Sequence, residues 1–246
     1  VTAGIDRGGI VTATGSITGF GSVHVNGVHY VTTGATITLD DNPGTESDLR
    51  VGQVVRIEGR LDQDGINGTA TRVIFDDEVE GPVQSIDRVN SRLVVLGRTV
   101  QVSTQTSFDD SISPRSLEGV AVGDRIEVSG LVATTGVVEA TRIERKTAQA
   151  SVEVKGTVSS LDTNARSFAL SQLTVSYASA QLNGFASGQP ANGDRVEAFG
   201  TVDGNGVLVA TRIEKESGGS AGNADEQADY EGLITSFASA ADFSVA

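Results

Sequence analysis

The chain has no cysteine, no methionine and no tryptophan, only 4 prolines among 246 residues, and aromatics make up 4% of it. Each shortage excludes something. Without cysteine there are no disulfides, no thiolate zinc site and no cysteine nucleophile. With no initiator methionine, the sequence is expected to be a processed product or a defined fragment. With so few large rings, a core must be assembled from Val, Ile, Leu and Ala. No apolar run approaches the roughly 20 residues of a membrane-spanning helix. Positive charge is also scarce: 18 Lys and Arg stand against 32 Asp and Glu, a net charge of -14. The acidic residues are spread along the chain, which disfavours nucleic acid and anionic membrane surfaces as partners.

Glycine is plentiful, 30 residues, and it recurs at a fixed period. Gly52-Gln-Val-Val-Arg-Ile-Glu-Gly59 returns as Gly123-Asp-Arg-Ile-Glu-Val-Ser-Gly130 and as Gly193-Asp-Arg-Val-Glu-Ala-Phe-Gly200. Ala70-Thr-Arg-Val73 returns as Ala140-Thr-Arg-Ile143 and Ala210-Thr-Arg-Ile213, steps of about 70 residues that place it among repeat architectures. An opening Gly15-Ser-Ile-Thr-Gly-Phe20 is matched by segments starting at Gly81, Gly156 and Gly232.

Within a repeat, apolar residues alternate with polar ones, as with Val55 and Ile57 beside Arg56 and Glu58. Period two is the mark of a half-buried strand. Asn26-Gly27 between two such runs predicts a type I′ hairpin, because both residues tolerate positive φ. Each repeat should hold about five or six short strands. The fold expected is all-β: tandem small antiparallel barrels, OB-like or SH3-like, with a sandwich as runner-up. Three repeats are complete and a fourth begins. The divisions are an N-terminal leader or strand over 1–14, barrels over 15–78, 79–147 and 148–217, a Gly/Ser/Asp-rich flexible linker over 218–229, and a partial repeat or donated strand over 230–246. Apolar Ile234, Phe237, Phe243 and Val245 in that last segment are the candidate assembly residues.

The opening Gly-x-Val/Ile, the Thr106-Ser-Phe108 triplet, the Gly-Asp strand and the closing Ala-Thr-Arg-Ile-Glu together resemble a bacterial exported repeat family known as a domain of unknown function, family 5666. Ala3-Gly-Ile-Asp-Arg-Gly-Gly9 is similar to the segment that follows the export signal in such proteins. The resemblance covers nearly the whole chain and implies an OB-like barrel and a periplasmic, cell-surface or extracellular home. It implies no catalytic residues. The first repeat departs with Gln53 in place of Asp, and the third has Gln181-Leu-Asn-Gly-Phe185 where the triplet would stand.

Acid, base or nucleophile work needs an imidazole near a carboxylate and a reactive hydroxyl. The only histidines, His24 and His29, fall on one hairpin of one repeat and are expected as outward strand residues. No enzyme activity and no cofactor are expected. Asp62, Asp64 and Asn67 alternate around Gly65 like the opening of an oxygen-ligand calcium loop, but the closing bidentate Glu is missing, so turn chemistry ranks above calcium. Phe20, Phe168 and Phe237 recur at core-like positions, and Arg72, Arg142 and Arg212 should pair across strands with residues such as Glu144 and Glu214. The expected role is a non-enzymatic structural or assembly protein, a filament subunit joined by strand complementation with copies of itself. The alternative is a monomeric binding module taking a glycan, peptide or protein on its variable loops at 36–50, 104–119 and 178–192.

Overall fold

In the computed structural model the described residues are 9–147 and 151–216, together with the backbones of 226–230, 234–239 and 242–245. These hold strands and two short 3-10 turns, with no α-helix among the described residues. The chain divides into two compact units: Val1–Asp77, Ser129–Leu131 and Ala221–Ala246 form one, Glu78–Val128 and Val132–Ser220 the other.

The first unit contains strands β1 (Gly9–Gly19), β2 (Val23–Val25), β3 (Val28–Val31), β4 (Thr36–Leu39), β5 (Asn42–Gly44), β6 (Val54–Leu61) and β7 (Asn67–Phe75). Five of them close a circuit. β1 pairs antiparallel with β2, β2 with β3, β3 runs parallel to β7, β7 pairs antiparallel with β6, and β6 returns to β1. A closed barrel therefore replaces the sandwich alternative. One strand can serve two walls because its register shifts between Ile17 and Gly19: β6 covers Gly9 to Ser16, and β2 takes the rest. Such a bulge bends and twists the strand. Alternation sends Val11, Ala13 and Ile17 inward to meet Val25, Tyr30, Ile57, Val73 and Phe75 in one core.

The closing glycine of the repeated strand motif has a steric cause. A Cβ on Gly59 would lie 2.2 Å from the Thr69 carbonyl oxygen, and one on Gly200 the same distance from that of Val209. Each sits at a register shift where the neighbouring backbone crowds in, so only hydrogen fits.

The second unit repeats the circuit twice. Its strands are β8 (Val79–Asp87), β9 (Arg92–Val95), β10 (Arg98–Gln101), β11 (Ser107–Phe108), β12 (Arg125–Val132, apart from Ser129–Leu131), β13 (Val138–Arg145), β14 (Val152–Asp162), β15 (Ser167–Leu170), β16 (Leu173–Ser176), β17 (Gln181–Asn183), β18 (Arg195–Val202) and β19 (Leu208–Lys215). The pairings β8-β9-β10-β13-β12-β8 and β14-β15-β16-β19-β18-β14 each close, with the third-to-last step parallel as in the first barrel. The two barrels share a sheet, since β8 and β14 pair antiparallel through Glu80↔Glu153 and Val79↔Val154. Their interiors form one continuous cluster from Val79 to Ile213.

The variable stretches are largely folded onto the barrels. β4, β11 and β17 each run parallel to the last strand of their own repeat. Ile37 and Leu49 in the first repeat, and Phe108, Ile112, Leu117 and Val120 in the second, are buried with the core. The middle repeat also carries the 3-10 turn Leu117–Gly119, with Leu117 buried.

β20 (Glu226–Tyr230) pairs parallel to β1, from Ile10↔Glu226 to Thr14↔Tyr230. Positions 226–229, expected as the end of a flexible linker, are thus strand. The pairing needs only backbone: one side of β1 over Ile10 to Thr14 is taken by β6, and the other edge offers N–H and C=O groups to a strand of any side-chain composition. β21 (Ile234–Ser239) and β22 (Asp242–Val245) form a two-stranded hairpin.

Candidate functional site

The β9–β10 hairpin turns at Leu96 and Gly97, both at positive φ, 47° and 72°. Its tip packs against the next barrel so closely that a Cβ on Gly97 would lie 2.6 Å from the Leu173 nitrogen. Immediately after the turn, Arg98 opens β10 opposite Val95. The same register position is Val28 opposite Val25 in the first repeat, and Leu173 opposite Leu170 in the third. Both counterparts are buried aliphatics, so Arg98, 3% exposed, brings a guanidinium into a place the repeat pattern makes apolar.

Its charge is incompletely matched. Glu78 takes Arg195 Nη2 with both carboxylate oxygens, at 2.9 and 3.0 Å. Arg98 Nη2 stays 3.8 Å from Glu78 Oε2, and Nη1 is 3.5 Å from Ser171 Oγ. Arg98 Nε and Nη2 are buried without a hydrogen-bond acceptor among the described residues. Burial pushes the Arg98 pKa down, the Glu78 charge offsets part of this, and Arg195 adds to the lowering. Arg98 and Arg195 line a cleft of about 510 Å³ with Thr134, Thr135, Thr157 and Ser159, all within the second unit.

His24 and His29 are half-buried cross-strand neighbours with ring centroids 4.7 Å apart, and His29 Nε2 donates to the Gly21 carbonyl at 2.8 Å. Asp64 is a turn cap. Its Oδ1 accepts from the Ile66 and Asn67 amides, and its Oδ2 accepts from Asn67 Nδ2 at 2.7 Å. These bonds, the Asn67 side chain first, hold its carboxyl below the usual range. Asp62 lies in the same turn, its amide donating to the Asn67 carbonyl at 2.8 Å.

Cross-strand ion pairing holds in the first repeat, where Arg72 meets Glu58 at 3.2 Å on the facing strand. In the other two it is corrected. Arg142 pairs with Glu144 and Arg212 with Glu214, two residues along the same strand, because the counterpart of Glu58 is Ser129 in the second repeat and Phe199 in the third; Arg142 also lies 3.8 Å from Asp109, just past β11. Arg212 also lies over its cross-strand neighbour Phe199, 3.7 Å from the ring centroid. Phe168 is core, whereas Phe20 is 41% exposed. The side chains of Ile234, Phe237, Phe243 and Val245 lie outside the described residues; their backbones pair as Ile234↔Val245 and Phe237↔Phe243.

The sequence carried one readable signal for Arg98. Aligning the three hairpins sets Val28, Arg98 and Leu173 in one column, and the odd residue is charged. The family model described as "Domain of unknown function (DUF5666)" matches residues 8–74, 80–144 and 155–214. No curated protein matches the chain.

Proposed function

Because the chain belongs to the DUF5666 family, a domain of unknown function matched along most of its length, we propose that it is a non-catalytic, exported structural protein that assembles with copies of itself by strand pairing. The carrying observation is the use made of one edge. The opening half of a repeat's first strand has β6, or its counterpart, on one side, and on the other it accepts a strand from elsewhere: β20 on β1, and β14 on β8. Main-chain hydrogen bonds supply the affinity in such additions and ask little of sequence. A strand that reaches β1 within its own chain can reach β1 of a neighbour, given a stretch as rich in Gly and Ser as the one before it.

An OB-like reading of each barrel is supported by the pairing order first-second-third-last-fourth, with the third and last core strands parallel. Placement at the cell surface, in the periplasm or outside the cell follows from the family resemblance, and a fold without cysteine is indifferent to redox compartment.

The absence of cysteine also gives the test a clean background. Thr12 and Ala228 are register partners. Chains carrying only Thr12→Cys, mixed with chains carrying only Ala228→Cys and oxidised, should give covalent dimers, and size exclusion with light scattering should show concentration-dependent assemblies of the native chain. If the disulfide forms only in the double variant and within one chain, while the native protein stays monomeric at every concentration, the assembly reading fails.

A further inference from the structure

Arg98 is costly where it stands, and the neighbouring repeats show that the fold does not need it. Val28 and Leu173 fill the same register position with aliphatic side chains. A buried charge pair is often no more stable than well-packed apolar residues of similar volume, and a buried guanidinium with unsatisfied donors is worse off still. Glu78 does not cure this, since both its oxygens are committed to Arg195. The two guanidiniums that line the cleft thus have one carboxylate between them. Thr134, Thr135, Thr157, Ser159 and Ser171 line the same cleft and supply hydroxyls, and none of its lining residues is acidic although the chain's net charge is -14.

We propose that this cleft is a binding site for a carboxylate-bearing sugar, with Arg98 and Arg195 taking the carboxylate and the surrounding Thr and Ser hydroxyls taking the sugar's own. Guanidinium groups suit a planar carboxylate because their paired N–H groups match its two oxygens. A hydroxyl-rich wall suits a polyol, each hydroxyl being donor and acceptor in turn. A volume of about 510 Å³ is in the range of small-ligand pockets. The site exists only where the second and third repeats share a sheet: Arg98 comes from one, while Thr157, Ser159, Ser171 and Arg195 come from the other. It is independent of the β1 edge and of the assembly reading.

The experiment is a titration of the full chain with D-glucuronate, with glucose, acetate, sulfate and inorganic phosphate as comparison ligands. It is followed by calorimetry and by amide chemical shifts at residues 133–136 and 171–173. Glucuronate should bind at one site and shift those amides, glucose should not, and acetate and the inorganic anions should bind more weakly. Arg98→Leu, which installs the third repeat's residue, should keep or raise the melting temperature while weakening glucuronate by at least about tenfold. Arg195→Gln, at a side chain 37% exposed, keeps the test decisive if the first variant folds poorly, and should also weaken binding about tenfold. Undiminished binding by either folded variant, or no glucuronate binding by the native chain, overturns the site. Sulfate or phosphate binding more tightly than glucuronate overturns its assignment to a sugar carboxylate.

Discussion

The first barrel and the two barrels of the second unit are built on one strand circuit, yet they treat its polar positions differently. Asp124 and Asp194 accept the amides of Ala121 and Ala191 and pair with Arg145 and Lys215, at 2.8 and 2.6 Å. Gln53 accepts the amide of Arg50 at 2.8 Å in the same way, but the position of the cation is Phe75, 1% exposed. The pair has changed together. An amide keeps the turn capped without bringing a charge beside a buried ring, whereas a carboxylate there would lack its cation. Arg98 follows a different rule, because its counterparts Val28 and Leu173 are apolar and no partner residue fully answers its charge. Polar exchanges between repeats are thus of two kinds, the balanced and the unbalanced, and the unbalanced one lies in a cleft.

The largest difference between the units is expected at the hairpin tips. Gly97→Ala should destabilise the second unit by at least about 3 kcal/mol, because its Cβ meets the Leu173 and Gln172 backbone at positive φ. Gly27→Ala in the first unit has the same backbone, φ 76°, but open space, and should cost only about 1 kcal/mol in chemical denaturation. Next, Asp194→Ala and Asp124→Ala should each cost about 1 kcal/mol by removing a turn acceptor and an ion-pair partner, with Gln53→Ala costing about half as much. Equal losses from all three would mean that the cations contribute nothing.

Acid should separate the units more gently. Hydrogen bonds from Thr45 to Asp48 and from Asn67 to Asp64 hold those carboxyls low in the first unit. In the second, Asn90 does so for Asp87, Lys215 for Asp194 and the Val207 amide for Asp203. A carboxyl with a depressed folded pKa contributes stability that is fully present above its unfolded value, about 3.9, and is lost as pH falls through the folded one. Denaturation midpoints should therefore hold steady down to about pH 4 and drop below it, more steeply for the second unit. Smallest of all, Asp64→Ala should quicken amide exchange at Ile66 and Asn67 and leave the rest of the first barrel unchanged.

Much of the fold was legible because its determinants are local. Period-two alternation marked the strands, Asn26-Gly27 takes the positive φ pair of its turn, and the spaced motifs gave the repeat. What escaped depends on pairing between distant segments. Asp-Glu-Gln-Ala-Asp carries no alternation, and only the edge presented by β1 makes part of it a strand. Arg98 directly follows the turn residues Leu96 and Gly97, and only the register, which sets it opposite Val95, accounts for its burial. The stretch 104–119 reads as a free loop because its apolar residues, Phe108, Ile112 and Leu117, fall four and then five apart and sustain neither period.

The β8–β14 pairing has a mechanical consequence. Two barrels that share a sheet and a continuous interior have no seam at which one can open while the other stays shut. Stretched end to end, the second unit should yield in a single rupture, releasing about twice the contour length of a lone barrel. The unit expected to bear load is thus the pair of barrels, not the repeat counted in sequence.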